Sequence, residues 1–328
     1  MKICLTSYYG IRESLQEASD ELSDLGHIVI DFSLMKEKNE NINYKHKFVE
    51  FLIDNKVELI LWWYINISVE DMEFVVKSTN ITNFFFNWDE PHNWYSCELD
   101  KKSKLLDCAF VCCENTKINY VHNGAKKSIY LLPGFSAKNN NLLIDNDNSQ
   151  YDCDISFICT NLYEDDKEYK YQYINRKILI DNIYNNQEKH NYVFHIYGPE
   201  FLKILYPKSY KGFIDYYSQN KLFNNSKINL CTHVSSINYK YLNERTVMII
   251  GSGGLLLIDD IYGLDQLIDK NNDCVILHKD NYINQIVNIL DNYDEYIDKR
   301  INIYKKRDQF TWKKWAQVIN IEIKQIPL

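Results

Sequence analysis

Apolar runs of strand length alternate with stretches of helical periodicity along most of the chain. Lys2-Ile3-Cys4-Leu5-Thr6-Ser7 reads as a strand, after which Ile11, Leu15, Ala18, Leu22 and Leu25 recur at helical spacing until Gly26. Further strands are predicted at 27–30, 57–64, 81–86, 107–113 and 127–132, with helices near 44–55, 68–78 and 115–123 between them. Strands that alternate with helices in this way predict a parallel sheet covered on both faces.

Residues 135–151 are polar and asparagine-rich, which predicts a linker. The alternation then restarts, with strands at 153–159, 191–197, 227–231, 255–258 and 274–277 and helices near 170–186 and 214–224. Residues 280–325 read as mostly helix. The chain therefore divides into 1–138, 150–310 and a terminal helix at 311–328.

The run Asn243-Glu244-Arg245-Thr246-Val247-Met248-Ile249-Ile250-Gly251-Ser252-Gly253-Gly254-Leu255-Leu256-Leu257-Ile258-Asp259-Asp260 carries most of the chemical information. It predicts a short helix opened by Asn243, a glycine turn and a buried strand ending in two aspartates. A helix N-terminus offers unpaired N–H groups and partial positive charge, which suits a phosphate, and Arg245 in the first turn adds a charge-assisted donor. Phosphate-cradling glycine loops follow a strand and open a helix, whereas here the helix precedes the glycines. The glycines are thus expected to serve the turn, with Gly251 as the left-handed C-cap.

Ligands of open α/β sheets gather beyond the carboxyl ends of the strands, and that rule ranks the remaining loops. In the first half these are Ser7-Tyr8-Tyr9-Gly10 and Asn87-Trp88-Asp89-Glu90-Pro91-His92-Asn93-Trp94. Asp89, Glu90 and His92 are each capable of general acid–base work, and the flanking tryptophans suit either sugar stacking or packing. In the second half, Thr160 and Asn161 follow one strand and offer phosphate donors. Tyr197-Gly198-Pro199 and Lys211-Gly212 stand where a flat base would lie. His233 follows the strand ahead of Asn243, and Asp259 and Asp260 are placed for ribose or sugar hydroxyls. Adjacent aspartates diverge and make a poor metal clamp, so no metal is called for.

Composition narrows the function. A formal charge of −8 argues against nucleic-acid binding, which needs a basic face. No apolar run approaches the length of a membrane span, and the N-terminus enters a strand without a secretory pattern. The nine cysteines lack metal-ligand spacing, and most lie on apolar strands as reduced thiols would. These features lead us to expect a cytoplasmic protein.

Residues 150–320 resemble the CgeB-like glycosyltransferases, relatives of the group 1 glycosyltransferases. The resemblance rests on the strand 154–159, Arg176, His195-Ile196-Tyr197-Gly198, Lys211-Gly212, Ser226-Lys227-Ile228-Asn229-Leu230, Asn243-Glu244-Arg245, Gly253-Gly254-Leu255-Leu256-Leu257-Ile258-Asp259 and Phe310-Thr311-Trp312, in that order. The first half is similar mainly in layout and in Trp88-Asp89-Glu90-Pro91. The resemblance implies an α/β protein of GT-B fold, two Rossmann-like domains with a ligand cleft between them. The 150–310 domain would bind a nucleotide-diphosphate-sugar donor, with Gly254 among its donor residues. The 1–138 domain would take a glycan, protein or small-molecule acceptor, and the last helix would cross back to it. The family's fold generally works without a metal or other cofactor. One departure is Met248, where the family carries a glutamate expected to hold the donor ribose; that contact is then lost or passes to another group.

The leading expectation is metal-independent glycosyl transfer, with Arg245 on the diphosphate and Asp89 activating the acceptor. A nucleotide-sugar epimerase and a non-catalytic sugar-nucleotide or glycan binder are the alternatives, and Met248 favours the latter. A dinucleotide-dependent dehydrogenase fits less well, because Tyr8-Tyr9-Gly10 lacks the glycine series that should follow a first strand.

Overall fold

A computed structural model of the chain describes residues 1–63, 65–88, 93–143, 149–163 and 171–326. The chain separates into two compact units, Met1–Gly134 with Trp312–Leu328, and Phe135–Thr311.

The first unit runs β1 (Lys2–Ser7), α1 (Glu13–Asp24), β2 (Ile28–Ser33), α2 (Leu34–Glu40), α3 (Tyr44–Asp54), β3 (Leu59–Trp62), α4 (Val69–Thr79), β4 (Thr82–Asn87), α5 (Leu99–Lys102), β5 (Cys108–Val111), α6 (Lys117–His122) and β6 (Ser128–Tyr130). Its six strands are all parallel, in the order β2-β1-β3-β4-β5-β6. Alternate side chains feed opposite faces, as the strand period of two requires. Cys4, Ile60, Trp62, Phe85 and Ala109 meet α3, α4 and α6 on one face. Ile3, Leu5, Leu59, Leu61, Phe84 and Phe110 meet α1 and the last helix of the chain on the other.

The second unit runs β7 (Cys153–Ile158), α7 (Arg176–His190), β8 (Phe194–Tyr197), α8 (Phe201–Leu205), α9 (Gln219–Asn225), β9 (Ser226–Cys231), α10 (Glu244–Ser252), β10 (Leu256–Ile258), β11 (Val275–Ile276), α11 (Tyr282–Asp291) and α12 (Ile297–Lys305). Its sheet is again parallel, in the order β11-β10-β9-β7-β8. The strand order reverses between β7 and β9, so the loops after these strands diverge and open the crevice where such sheets take ligands.

The last helix, α13 (Trp312–Ile323), belongs to the first unit. Trp312, Trp315, Ile319 and Ile323 are buried against its sheet, each side chain stabilising by about 1.5–3 kcal/mol relative to an exposed position. His27 Nε2 meets Asn320 Oδ1 at 3.1 Å, and Lys127 pairs with Glu322 at 2.6 Å.

Three local expectations are corrected. Phe135 does not start a linker: it is fully buried in the second unit, its N–H donating to Phe310 O at 3.1 Å. Asn140 continues that attachment by donating to Ser252 Oγ at 3.2 Å. The helix expected near 170–186 begins at Arg176, because Asn175 caps it by accepting the Ile178 N–H at 3.1 Å. The C-cap of α10 is Gly253, at φ +69°, and not Gly251. Gly251 is a helical position whose absent side chain makes room for the Phe135 ring.

Candidate functional site

The carboxyl edge of the second sheet is built around the N-terminus of α10. Asn243 has extended backbone, and its Oδ1 accepts the Thr246 N–H at 2.9 Å, so the cap read from the sequence is formed. Arg245 is half-buried in the first turn, with Nε buried and without a hydrogen-bond partner among the described residues.

A second arginine lies beneath the same crevice. Arg176 opens α7 and is only 7% exposed. Its Nε donates to Thr232 Oγ1, one terminal nitrogen to Thr232 O and the other to Asn161 O, each at 2.9 Å. The guanidinium also packs 4.9 Å from the Tyr163 ring centroid. Burial lowers its pKa, and the Arg245 charge acts in the same direction. Cys159, at the end of β7, feels both arginines, although burial still pushes its thiol up to about 11. Three neutral acceptors hold Arg176, so its positive charge is left for an anion. Arg176 was legible as a motif residue but not as part of the site. The overlooked signal is its spacing from Leu179, Ile180 and Ile183, which puts a charge on the buried stripe of the helix.

His233 and Asp259 are placed behind the cap, with side chains 0% and 2% exposed. His233 Nδ1 lies 2.7 Å from Asp259 Oδ1, and the His233 backbone N–H donates to Asp259 Oδ2 at 3.0 Å. On the other side of the ring, Nε2 accepts the Asn243 N–H at 3.2 Å and lies 3.2 Å from Thr246 Oγ1. Both residues are therefore committed to protein partners and present no open face to a ligand.

Neighbouring loops complete the edge. Thr160 and Asn161 are exposed after β7, and Asn161 Oδ1 accepts the Tyr163 N–H at 3.0 Å. Gly198 follows β8 at φ +153°, where an added Cβ would lie 2.1 Å from Cys159 O, so only glycine lets the two loops meet. Its N–H donates to Gly212 O at 3.0 Å, joining the Tyr197-Gly198-Pro199 and Lys211-Gly212 segments. Tyr197 is buried, which raises its pKa, while Lys211 is exposed. Asp260 is half-exposed and paired with Lys270 at 2.5 Å.

One expected donor-site residue is not brought to this place. Gly254 is at the other end of α10, roughly 13 Å away for a nine-residue helix. There a Cβ would crowd Asn229 Nδ2 at 2.5 Å and Phe223 O at 3.0 Å, so Gly254 serves packing. Met248 is 2% exposed and faces the core.

In the first unit, Tyr8 and Tyr9 are 46% and 49% exposed after β1, and Gly10 N–H donates to Ser7 Oγ at 2.9 Å. Asp89, Glu90, Pro91 and His92 lie outside the described residues. The two flanking tryptophans are packing residues: Trp88 meets Trp63 at 5.0 Å and Trp94 meets the Tyr120 ring at 4.9 Å. Among the described residues, no three His, Cys, Asp or Glu side chains gather as a metal site. No described helix is long and apolar enough to cross a membrane.

The family model described as glycosyl transferase-like matches residues 176–319, which includes Arg176, His233, Asn243 and Arg245. Among solved structures, HepE of Anabaena in complex with UDP-glucose superposes with a TM-score of 0.68 at 12% identity, over 99% of this chain and 100% of that chain. Sucrose-phosphate synthase of Thermosynechococcus elongatus gives a TM-score of 0.71 at 12% identity, over 99% and 98%. The fold is that of the GT-B glycosyltransferases. A glycosyltransferase from Rickettsia africae shares it, with a TM-score of 0.62 at 13% identity over 98% and 97% of the two chains. No curated protein matches the sequence. Within the GT-B frame, the two parallel-sheet units are the two Rossmann-like domains, and the paired arginines belong to the C-terminal one.

Proposed function

We propose that the protein is a glycosyltransferase of the CgeB-like group that moves a sugar from a nucleoside-diphosphate donor to an acceptor hydroxyl without a metal. The observation that carries this reading is that Arg176, tied to the α10 cap residue Asn243 through Thr232 O, and Arg245, in the first turn of α10, feel each other's charge and both act on Cys159, at the strand-order reversal of the second sheet. Like charges repel, and both are partly withdrawn from water. An anionic ligand relieves that cost, and a diphosphate matches two guanidiniums and a helix N-terminus. The match of the glycosyl transferase-like family model across these residues supports the same reading, as does the likeness to a protein solved with UDP-glucose.

In the proposed reaction, the bond between the anomeric carbon and the diphosphate oxygen breaks, and the electron pair leaves with the nucleoside diphosphate. Arg245 and the α10 N–H groups stabilise that developing charge, which is the role a bound metal plays elsewhere. The acceptor oxygen forms the new glycosidic bond and gives its proton to a base. Asp89, after β4 in sequence, is the leading candidate for that base, with Glu90 and His92 as reserves. The acceptor is a glycan, protein or small-molecule hydroxyl, and the reaction is placed in the cytoplasm.

The test is a thermal-shift screen against UDP, GDP, ADP and their sugar derivatives, with EDTA and with magnesium, followed by assay of donor turnover. A ligand at 100 times its Kd raises stability by about 2.7 kcal/mol, which such a screen resolves. A shift with one nucleotide family that survives EDTA supports the proposal. No shift with any of them removes it.

A further inference from the structure

We propose that His233 is a positioning residue which, fixed by Asp259, sets the N-terminus of α10 for the donor diphosphate; this rests on the donor site proposed above. Neither residue touches the crevice, since both side chains are essentially inaccessible. Their effect must pass through the cap.

The hydrogen bonds define how. A backbone N–H can only donate, so the Asn243 N–H at 3.2 Å requires a lone pair on His233 Nε2. The ring proton then sits on Nδ1 and is donated to Asp259 Oδ1 at 2.7 Å. Asp259 Oδ2 is occupied by the His233 N–H at 3.0 Å, so the carboxylate is clamped at both oxygens and cannot turn away. The histidine is thereby held as one neutral tautomer, with its acceptor aimed at the cap residue. The Tyr241 ring packs edge-on at 5.6 Å and fixes the imidazole plane.

The cap is gripped from the opposite side as well. Asn243 Nδ2 donates to Thr232 O at 3.3 Å, the same carbonyl that accepts from Arg176 at 2.9 Å. Cys231 Sγ lies 3.4 Å from Asn243 Oδ1 and 3.2 Å from Thr246 Oγ1. Asn243 therefore stands between Arg176, reached through Thr232, and Asp259, reached through His233. A shift of this one residue moves the first turn of α10 and the backbone that carries Arg245. Without the acceptor at Nε2, the half-buried Asn243 N–H would lose this partner, and the cap would turn to satisfy it.

The mechanism predicts an unusual order among conservative substitutions. In His233→Gln, the amide oxygen reaches the place of Nε2 and can accept from Asn243. In His233→Asn, the shorter amide reaches only the place of Nδ1, keeps Asp259 and leaves the cap unsupported. Loss of a cap contact corresponds to roughly a tenfold weakening of the function that depends on it. The experiment measures UDP affinity by calorimetry for wild type, His233→Gln, His233→Asn and Arg245→Ala, with a melting curve for each. It also reads the nitrogen shifts of the His233 ring by long-range ¹H–¹⁵N NMR without nucleotide.

The expected result is an Nδ1–H tautomer, UDP affinity near wild type for the glutamine variant, and roughly tenfold weaker binding for the asparagine variant. Equal UDP affinity in both folded variants, or an Nε2–H tautomer, overturns the proposal. If wild type binds GDP or ADP instead of UDP, that nucleotide replaces UDP in the comparison. If it binds none of UDP, GDP and ADP, the donor-site reading fails on its own. Positioning is then decided by the ring shifts and by amide exchange at Asn243 and Thr246, which must quicken in the asparagine variant and not in the glutamine one.

Discussion

Gly251 faces the ring of Phe135 so closely that a Cβ on the glycine would lie 2.5 Å from the ring. The contact ties the residue that opens the second unit to the helix carrying the cap and Arg245. Gly251→Ala should therefore destabilise, although alanine is the better helix former by about 1 kcal/mol. Overpacking of this kind costs about 1–3 kcal/mol, and the ring cannot move freely because Phe135 is fully buried. Denaturant unfolding of the single variant checks the sign, and Phe135→Leu on that background should recover part of the loss. A stabilised Gly251→Ala would show that the ring yields.

Arg245→Ala should weaken nucleoside-diphosphate binding with the melting temperature nearly unchanged, because Arg245 Nε makes no hydrogen bond among the described residues. Loss of a charge-assisted bond of about 1.5–3 kcal/mol corresponds to roughly ten- to hundredfold in Kd. Calorimetry with UDP reads the change directly. Unaltered affinity would take Arg245 out of the site.

The parallel sheets, the cap at Asn243 and the crevice loops were legible because each depends on local pattern. Strands such as Leu59–Trp62 are continuous apolar runs, and Asn243 precedes a helical periodicity at the expected offset. What the sequence hid were relations between distant segments. His233 looked placed for a phosphate, but Asp259, 26 residues later, claims its ring. Gly251 looked like the C-cap until Phe135, far upstream, showed what it makes room for. Gly254 read as part of the donor motif because its distance from Arg245 along the helix does not show in a string of letters.

Asp89→Asn should leave donor binding intact and lower transfer. The amide keeps the shape of the carboxylate and cannot take a proton, and positioned general-base catalysis contributes typically ~10²–10⁴-fold. Single-turnover transfer measured beside UDP affinity separates the two effects. Full activity in the variant would pass the role to Glu90 or His92.

His195 supplies a pH test of the second unit that is independent of turnover. It lies on β8 at 6% exposure, and its Nδ1 is buried without a partner among the described residues. Burial first, and then the Lys211 charge, bring its pKa from 6.5 down to about 4, with Asp154 opposing. Above pH 6.5 the ring is neutral in both folded and unfolded chains, and its contribution to stability is complete. As the pH falls from 6.5 towards about 4, the unfolded chain takes up the proton first, so stability is lost through that window and levels off below it. Allowing for water that reaches the ring, the loss is on the order of 1–2 kcal/mol. Unfolding free energies followed from pH 7 to 4 should show this slope, and His195→Gln should remove its share. Lys211→Met should raise the His195 pKa in an NMR titration, because it removes a positive neighbour without touching the burial. A His195 resonance that titrates at the ordinary value in the folded protein would mean that the edge of β8 is open to water.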